Sequence, residues 1–82
     1  MWNSFHQTLI LDGNSIRSLD KDIFKSLGLL NLQIISLRNS VIGYLNDNAF
    51  QGLKIMMSLD LSQNNLTMYT LHYMNKVSVY TL

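Results

Sequence analysis

Three short stretches of the chain alternate apolar and polar residues with a period of two: Leu9-x-Leu11, Ile35-x-Leu37 and Leu59-x-Leu61. That period belongs to a strand, since an amphipathic helix repeats its apolar residues at i, i+3, i+4 and i+7. Each stretch is followed by further positions at matching distances. The first runs on through Asn14, Ile16, Leu19, Phe24 and Leu27, the second through Ser40, Ile42, Leu45, Phe50 and Leu53, and the third through Asn64, Leu66, Tyr69, Met74 and Val77. The first strand positions are 26 and then 24 residues apart. Six apolar slots in three copies make 18 positions, and all of them are apolar in a chain that is 48% hydrophobic. Chance would do this with a probability on the order of one in a million before the choice of register, which sets aside a Leu-rich helix bundle.

A copy of this kind is a strand, a turn and a return segment that cannot bury its apolar side alone, so copies stack and share one core. Leu, Ile and Phe of the template are expected to point inward, with Phe24 and Phe50 stacked on the far side, each burying ~150 to 250 Å². Met74 is an adaptable filler of the same column. Asn14, Ser40 and Asn64 form the structural ladder at the strand ends. An Asn amide both donates and accepts, which suits it to satisfying backbone groups at a turn that recurs in every copy. Ser40 does so on a shorter arm, so the middle rung is expected to be the weakest.

The stretches LILDGNSIRSL, IISLRNSVIGYL and LDLSQNNL resemble the signature L-x-x-L-x-L-x-x-N-x-L of the leucine-rich repeat family, over about Thr8 to Val77. Repeats of this length with a Phe in the second half look like the extracellular subclass, from which the ectodomains of Toll and Toll-like receptors are built. LNDNAFQGL, residues 45 to 53, is especially similar. The departures are Ser40 for the ladder Asn, His6 for the first Leu of its copy, Met74 for Phe, and Asp20, Asn46 and Thr70 where Pro is common. The resemblance implies an α/β-type solenoid, a right-handed coil with a short parallel sheet on the concave face and a mostly irregular or short-helical convex side. Strands are expected near 8–12, 34–38 and 58–62. Residues 1–82 read as a single leucine-rich repeat segment, with repeats at about 6–27, 32–53 and 56–77, the start of a fourth at 80–82, and no caps.

Residues between the inward Leu positions face outward, and strands ~4.8 Å apart arrange them in columns. The columns read Thr8, Ile34, Ser58; Ile10, Ser36, Asp60; Asp12, Arg38, Ser62; and Gly13, Asn39, Gln63. Ile10, Asp12, Ile34, Ser36, Arg38, Asn39, Asp60, Ser62 and Gln63 are accordingly the candidate ligand-binding residues. Asp12 and Arg38 share a column on adjacent copies, so they are expected to pair in a salt bridge, worth ~0.2 to 1 kcal/mol if exposed, the alternative being that Arg38 stays free for a partner. Asn65-Leu66-Thr67 is the single N-x-[ST] tripeptide, and Asn65 should point to solvent as a glycosylation site.

Composition narrows the function. The chain has 15 Leu, nine Asn, nine Ser, no Glu, no Pro and no Cys, and a net charge of +1, which offers no footprint for nucleic acid. Without Cys there is no disulfide, thiolate metal site or thiol nucleophile. His6 and His72 have no second ligand at metal spacing, and no G-x-S-x-G elbow or Gly-rich phosphate loop occurs, so neither metal nor cofactor is expected. The N-terminal residues lack a basic segment and a long apolar run, as a secretory leader would have. The longest apolar run, Leu27 to Leu37, is interrupted by Gly28, Asn31, Gln33 and Ser36 and is short of the ~20 residues of a membrane span.

These readings converge on a non-enzymatic protein-binding module. The resemblance makes it a ligand-recognition segment of an extracellular, Toll-like receptor, at the cell surface, with a protein or other macromolecular ligand on the concave face. Its other partners would be further repeats of a parent chain. The alternative is a set of spacer repeats in a matrix, adhesion or cytosolic scaffold protein. Trp2 and Phe5 at one end and Tyr80 to Leu82 at the other look uncapped, so the chain reads as a fragment or an incomplete gene model. Expressed alone it is expected to aggregate or melt readily. Ultracentrifugation with thermal melting checks this, and a monomeric, cooperative transition would show the ends to be closed.

Overall fold

The computed structural model describes residues 7–67 and 80–82. Expectations that fall on His6, Trp2, Phe5, Tyr69, Thr70, His72, Met74 and Val77 lie outside the described residues. In chain order the elements are strand β1 (Thr8–Ile10), strand β2 (Ser18–Leu19), helix α1 (Ile23–Ser26), strand β3 (Ile34–Ser36), strand β4 (Tyr44–Leu45), strand β5 (Ser58–Asp60) and strand β6 (Tyr80–Thr81). β1, β3, β5 and β6 form a parallel sheet in that order. β2 and β4 pair in a second, two-stranded parallel sheet that the sequence pattern did not disclose.

The inward positions are those the alternation selects. Ile35, Leu37, Leu59 and Leu61 on the sheet and Ile42 and Leu45 behind it are at most 1% exposed. Leu9, Leu11 and Ile16 of the first repeat pack on the same core but are only partly buried. The rings of Phe24 and Phe50 stack with centroids 5.6 Å apart at 17°, which ties the backs of two repeats together.

The strands are three residues long rather than the five expected. Backbone pairing nevertheless continues beyond them: Leu11 donates to the Ser36 carbonyl at 2.9 Å, Gly13 to that of Arg38 at 2.9 Å, Leu37 to that of Asp60 at 2.8 Å and Asn39 to that of Ser62 at 3.0 Å. The chain then turns out of the sheet through a left-handed residue at the same place in each repeat, Gly13 (φ 77°), Asn39 (φ 52°) and Gln63 (φ 60°). Extended geometry ends there while lateral hydrogen bonding persists.

Leu27 is a correction. The template places it inward, but it caps the C-terminus of α1 and is 62% exposed. The buried Leu32 follows Phe24 by eight positions, whereas the partly buried Met56 follows Phe50 by six. The extra length is taken up by the single turn of helix. It rotates Leu27 out and brings Leu29, whose N–H donates to the Phe24 carbonyl at 2.8 Å, against the core.

The ladder shows how one residue type changes a backbone. Asn64 accepts from the N–H groups of Ser40 and Ile42, both at 2.9 Å, and donates to the carbonyls of Leu37 at 2.7 Å and Leu61 at 2.9 Å. Ser40 is fully buried and its hydroxyl donates to the carbonyls of Leu11 at 3.1 Å and Arg38 at 3.2 Å, but it does not reach the amides of the preceding repeat. Its backbone carbonyl does so instead, accepting from Ile16 at 3.1 Å and Arg17 at 3.4 Å. Turning that carbonyl rotates the 40–41 peptide plane, and Val41 is left at φ 49°. A β-branched side chain is poorly tolerated there, and the strain is of order 1 to 3 kcal/mol.

Two substitutions test this account in a double-mutant cycle read by urea denaturation. Val41→Gly is expected to stabilise by about 1 kcal/mol, and Ser40→Asn by a similar amount, about 1 kcal/mol. Together they should gain less than the sum, because an Asn at 40 accepts from Ile16 by its side chain and removes the need for the rotated peptide. Full additivity would break the link between Ser40 and Val41.

Candidate functional site

The open face of the larger sheet carries the candidate residues, and its register sets their columns. Thr8 lies beside Ile34 and Ile34 beside Ser58, and Ile10 lies beside Ser36 and Ser36 beside Asp60. The pairing beyond the strands extends the same order to Asp12, Arg38 and Ser62, then to Gly13, Asn39 and Gln63. Ile10 is 64% exposed on this face, and Asp12, Arg38, Asn39 and Gln63 are exposed. Ile34, Ser36, Asp60 and Ser62 are half-buried. The nine residues therefore occupy one surface.

The polar members are bound to one another. One carboxylate oxygen of Asp12 accepts from the Ser36 hydroxyl at 2.6 Å and from the backbone N–H of Arg38 at 2.9 Å. This corrects the expected Asp12–Arg38 salt bridge. The Asp12 carboxylate is directed onto the backbone of the neighbouring repeat, and the Arg38 guanidinium turns the other way, with Nε 3.6 Å from Asp60 Oδ2. Asp60 offers that oxygen because its other one accepts from the hydroxyl and the N–H of Ser62. The Arg38–Asp60 pair is partly exposed, and such pairs contribute ~0.2 to 1 kcal/mol.

The hydrogen bonds from Ser62, side chain first and then backbone, hold the Asp60 carboxyl below the usual carboxylate value, with a further contribution from Arg38 and partial opposition from burial. Ser36 and Ser62 each give their hydroxyl proton to a carboxylate, so both act as braces of the face. Nothing among the described residues indicates catalysis, and no three metal-ligating side chains converge among them.

One column escaped the sequence reading. Gln7, Gln33 and Met57 precede the strands. The Gln7 carbonyl accepts from Gln33 at 3.0 Å, and the Gln33 carbonyl accepts from Met57 at 2.7 Å. Met57, immediately before β5, is 66% exposed. Its signal was the same spacing that identified the other columns, counted one residue further back. Asn65, outside this face, is exposed on the turn that follows the ladder.

The lowered Asp60 value has a signed consequence. Stability from its hydrogen bonds is fully present above the unfolded value of about 3.9 and is lost as pH falls through the lower folded value. Asp60→Asn should flatten the acid limb below about pH 4. The check is the denaturation midpoint of both proteins across that range; parallel acid limbs would show that Asp60 is not linked to folding.

Neither the curated proteins nor the solved structures compared with the chain give a match. A family model described as leucine rich repeat matches residues 7–66. The matched stretch contains β1 to β5, the Asn14, Ser40 and Asn64 ladder and the Phe24–Phe50 stack. Domains of this family commonly mediate binding between proteins, are typically non-enzymatic, and occur both outside and inside cells. With the greater part of its length matched and its core built on the repeat, the chain belongs to the leucine-rich repeat family.

Proposed function

We propose that the chain is the ligand-recognition segment of an extracellular leucine-rich repeat receptor of the Toll-like type, and that it takes a protein or other macromolecular ligand on its sheet, which forms the concave face of a right-handed coil. The observation that carries this reading is the exposure of Ile10 and Arg38 on a face whose backbone is cross-tied by Asp12, Ser36, Asp60 and Ser62. A braced surface loses little conformational entropy on binding. Ile10 supplies apolar area, and Arg38 supplies a cation whose present partner is only a partly exposed carboxylate. Asn39 and Gln63 add adaptable amides at the strand ends. The 24-residue type of LNDNAFQGL supports the extracellular placement by its likeness to that subclass.

The spacer reading is favoured by a different feature of the same face. Asp12, Ser36, Asp60 and Ser62 already use their polar atoms on one another, so a spacer would need no partner to satisfy them.

Substitution of the exposed members in the parent receptor separates the two. Ile10→Asp and Arg38→Glu are each expected to weaken ligand binding about tenfold, or ~1.4 kcal/mol. Lys54→Glu, exposed and away from the sheet, is expected to leave binding unchanged. Surface plasmon resonance on the secreted ectodomain makes the comparison. If both face variants bind as tightly as the parent, these repeats are spacers.

A further inference from the structure

We infer that Asn65 is an N-glycosylation site, and that its glycan occupies the turn flank of the repeats while the sheet face stays open. The inference rests on the extracellular reading, because the tripeptide must pass through a compartment that glycosylates. Asn65-Leu66-Thr67 has the hydroxyl residue two positions after the Asn that the modification requires. The other Asn residues lack it.

The fold suits the tripeptide to the reaction's product. Asn65 is exposed, Leu66 packs against the core and Thr67 is exposed. Successive side chains of the segment thus alternate outward, inward, outward, with the acceptor Asn and the required Thr on the solvent side. The Asn65 backbone N–H is held by the Ile42 carbonyl at 2.9 Å, so the attachment point is fixed beside the preceding repeat. Its neighbour there is Gly43, where even a Cβ would find only the Asn65 carbonyl oxygen, at 3.9 Å, within contact range. Val41, the residue in the same turn position one repeat earlier, is likewise exposed, at 42%. Asn64, adjacent in sequence, spends its amide protons on the carbonyls of Leu37 and Leu61, and a glycan on its nitrogen would take the place of one of them. Of two neighbouring Asn residues, the fold leaves the one in the tripeptide available.

In the reaction the co-reactant is an oligosaccharide linked to a lipid pyrophosphate, delivered by a membrane transferase. The side-chain nitrogen Nδ2 of Asn65 attacks the anomeric carbon. A carbon–nitrogen bond forms, the bond from that carbon to the pyrophosphate oxygen breaks with its electron pair leaving on the lipid pyrophosphate, and one amide proton passes to a base.

The test expresses the full chain behind a cleavable secretory leader in glycosylating eukaryotic cells and reads the Asn65 peptide by mass spectrometry after enzymatic deglycosylation in heavy-oxygen water. Lysate and medium are both analysed, so a chain that folds poorly still reports. The expected result is heavy-oxygen Asp at position 65, lost in Asn65→Gln and Thr67→Val and kept in Thr67→Ser. A bare Asn65 in material whose leader has been removed would overturn the inference. That outcome leaves the binding reading intact, since the latter stands or falls on Ile10→Asp and Arg38→Glu.

Discussion

The Asn64 side chain is the bond on which the turn side of the structure depends. Its oxygen takes two backbone amides of the preceding repeat and its nitrogen serves a carbonyl in that repeat and another in its own. Where the chain leaves the sheet, backbone groups lose their strand partners and need others, or stacking would bury them unpaired. One planar amide meets this need because it carries an acceptor and a two-proton donor side by side on a single rigid group. Ser40 shows the cost of a smaller group. Its hydroxyl reaches one carbonyl of the preceding repeat, and the backbone must rotate to supply the missing acceptor, leaving Val41 in the left-handed region.

The buried apolar side and this bond agree on one register of the sheet, and from the register follows the face. When repeats stack with Ser40 beside Asn64, Leu37 must lie beside Leu61, and Arg38 beside Ser62. The inward Leu and Ile close the core, and the residues between them form columns on the other side. Those columns become a braced surface through short polar side chains. Asp12 reaches across to the next repeat, whereas Asp60 is held within its own by Ser62 and draws Arg38 toward it. A protein-binding role and a modified flank are compatible, because the face and the Asn65 turn are different sides of the same repeats.

Variation in repeat length is absorbed away from the sheet. The two residues by which the first interval exceeds the second lie between Phe24 and Leu32, where one helical turn accommodates them. The strand register is unaffected, since the Phe24–Phe50 stack on one side of that insertion and the parallel pairing on the other are both kept. Leu27 is expelled, and an apolar residue on this side has a place in the core only if the local path brings it there.

Much of the fold was legible in the sequence. The period of two placed Leu9, Ile35 and Leu59 on strands, and the spacing of 26 and 24 residues paired them, because a buried strand tolerates no slip of its apolar side. The same counting placed the nine candidate residues on one face, as side-chain alternation follows directly from backbone geometry. What the sequence did not determine was which polar groups would meet. Asp12 and Arg38 share a column, yet the guanidinium goes to Asp60, because a flexible side chain chooses among several carboxylates by the hydrogen bonds those groups have already made. Nor could it disclose the β2–β4 pairing, the exposure of Leu27 or the conformation of Val41. Those depend on the path of the backbone between repeats, which the packed neighbours decide and no local pattern records.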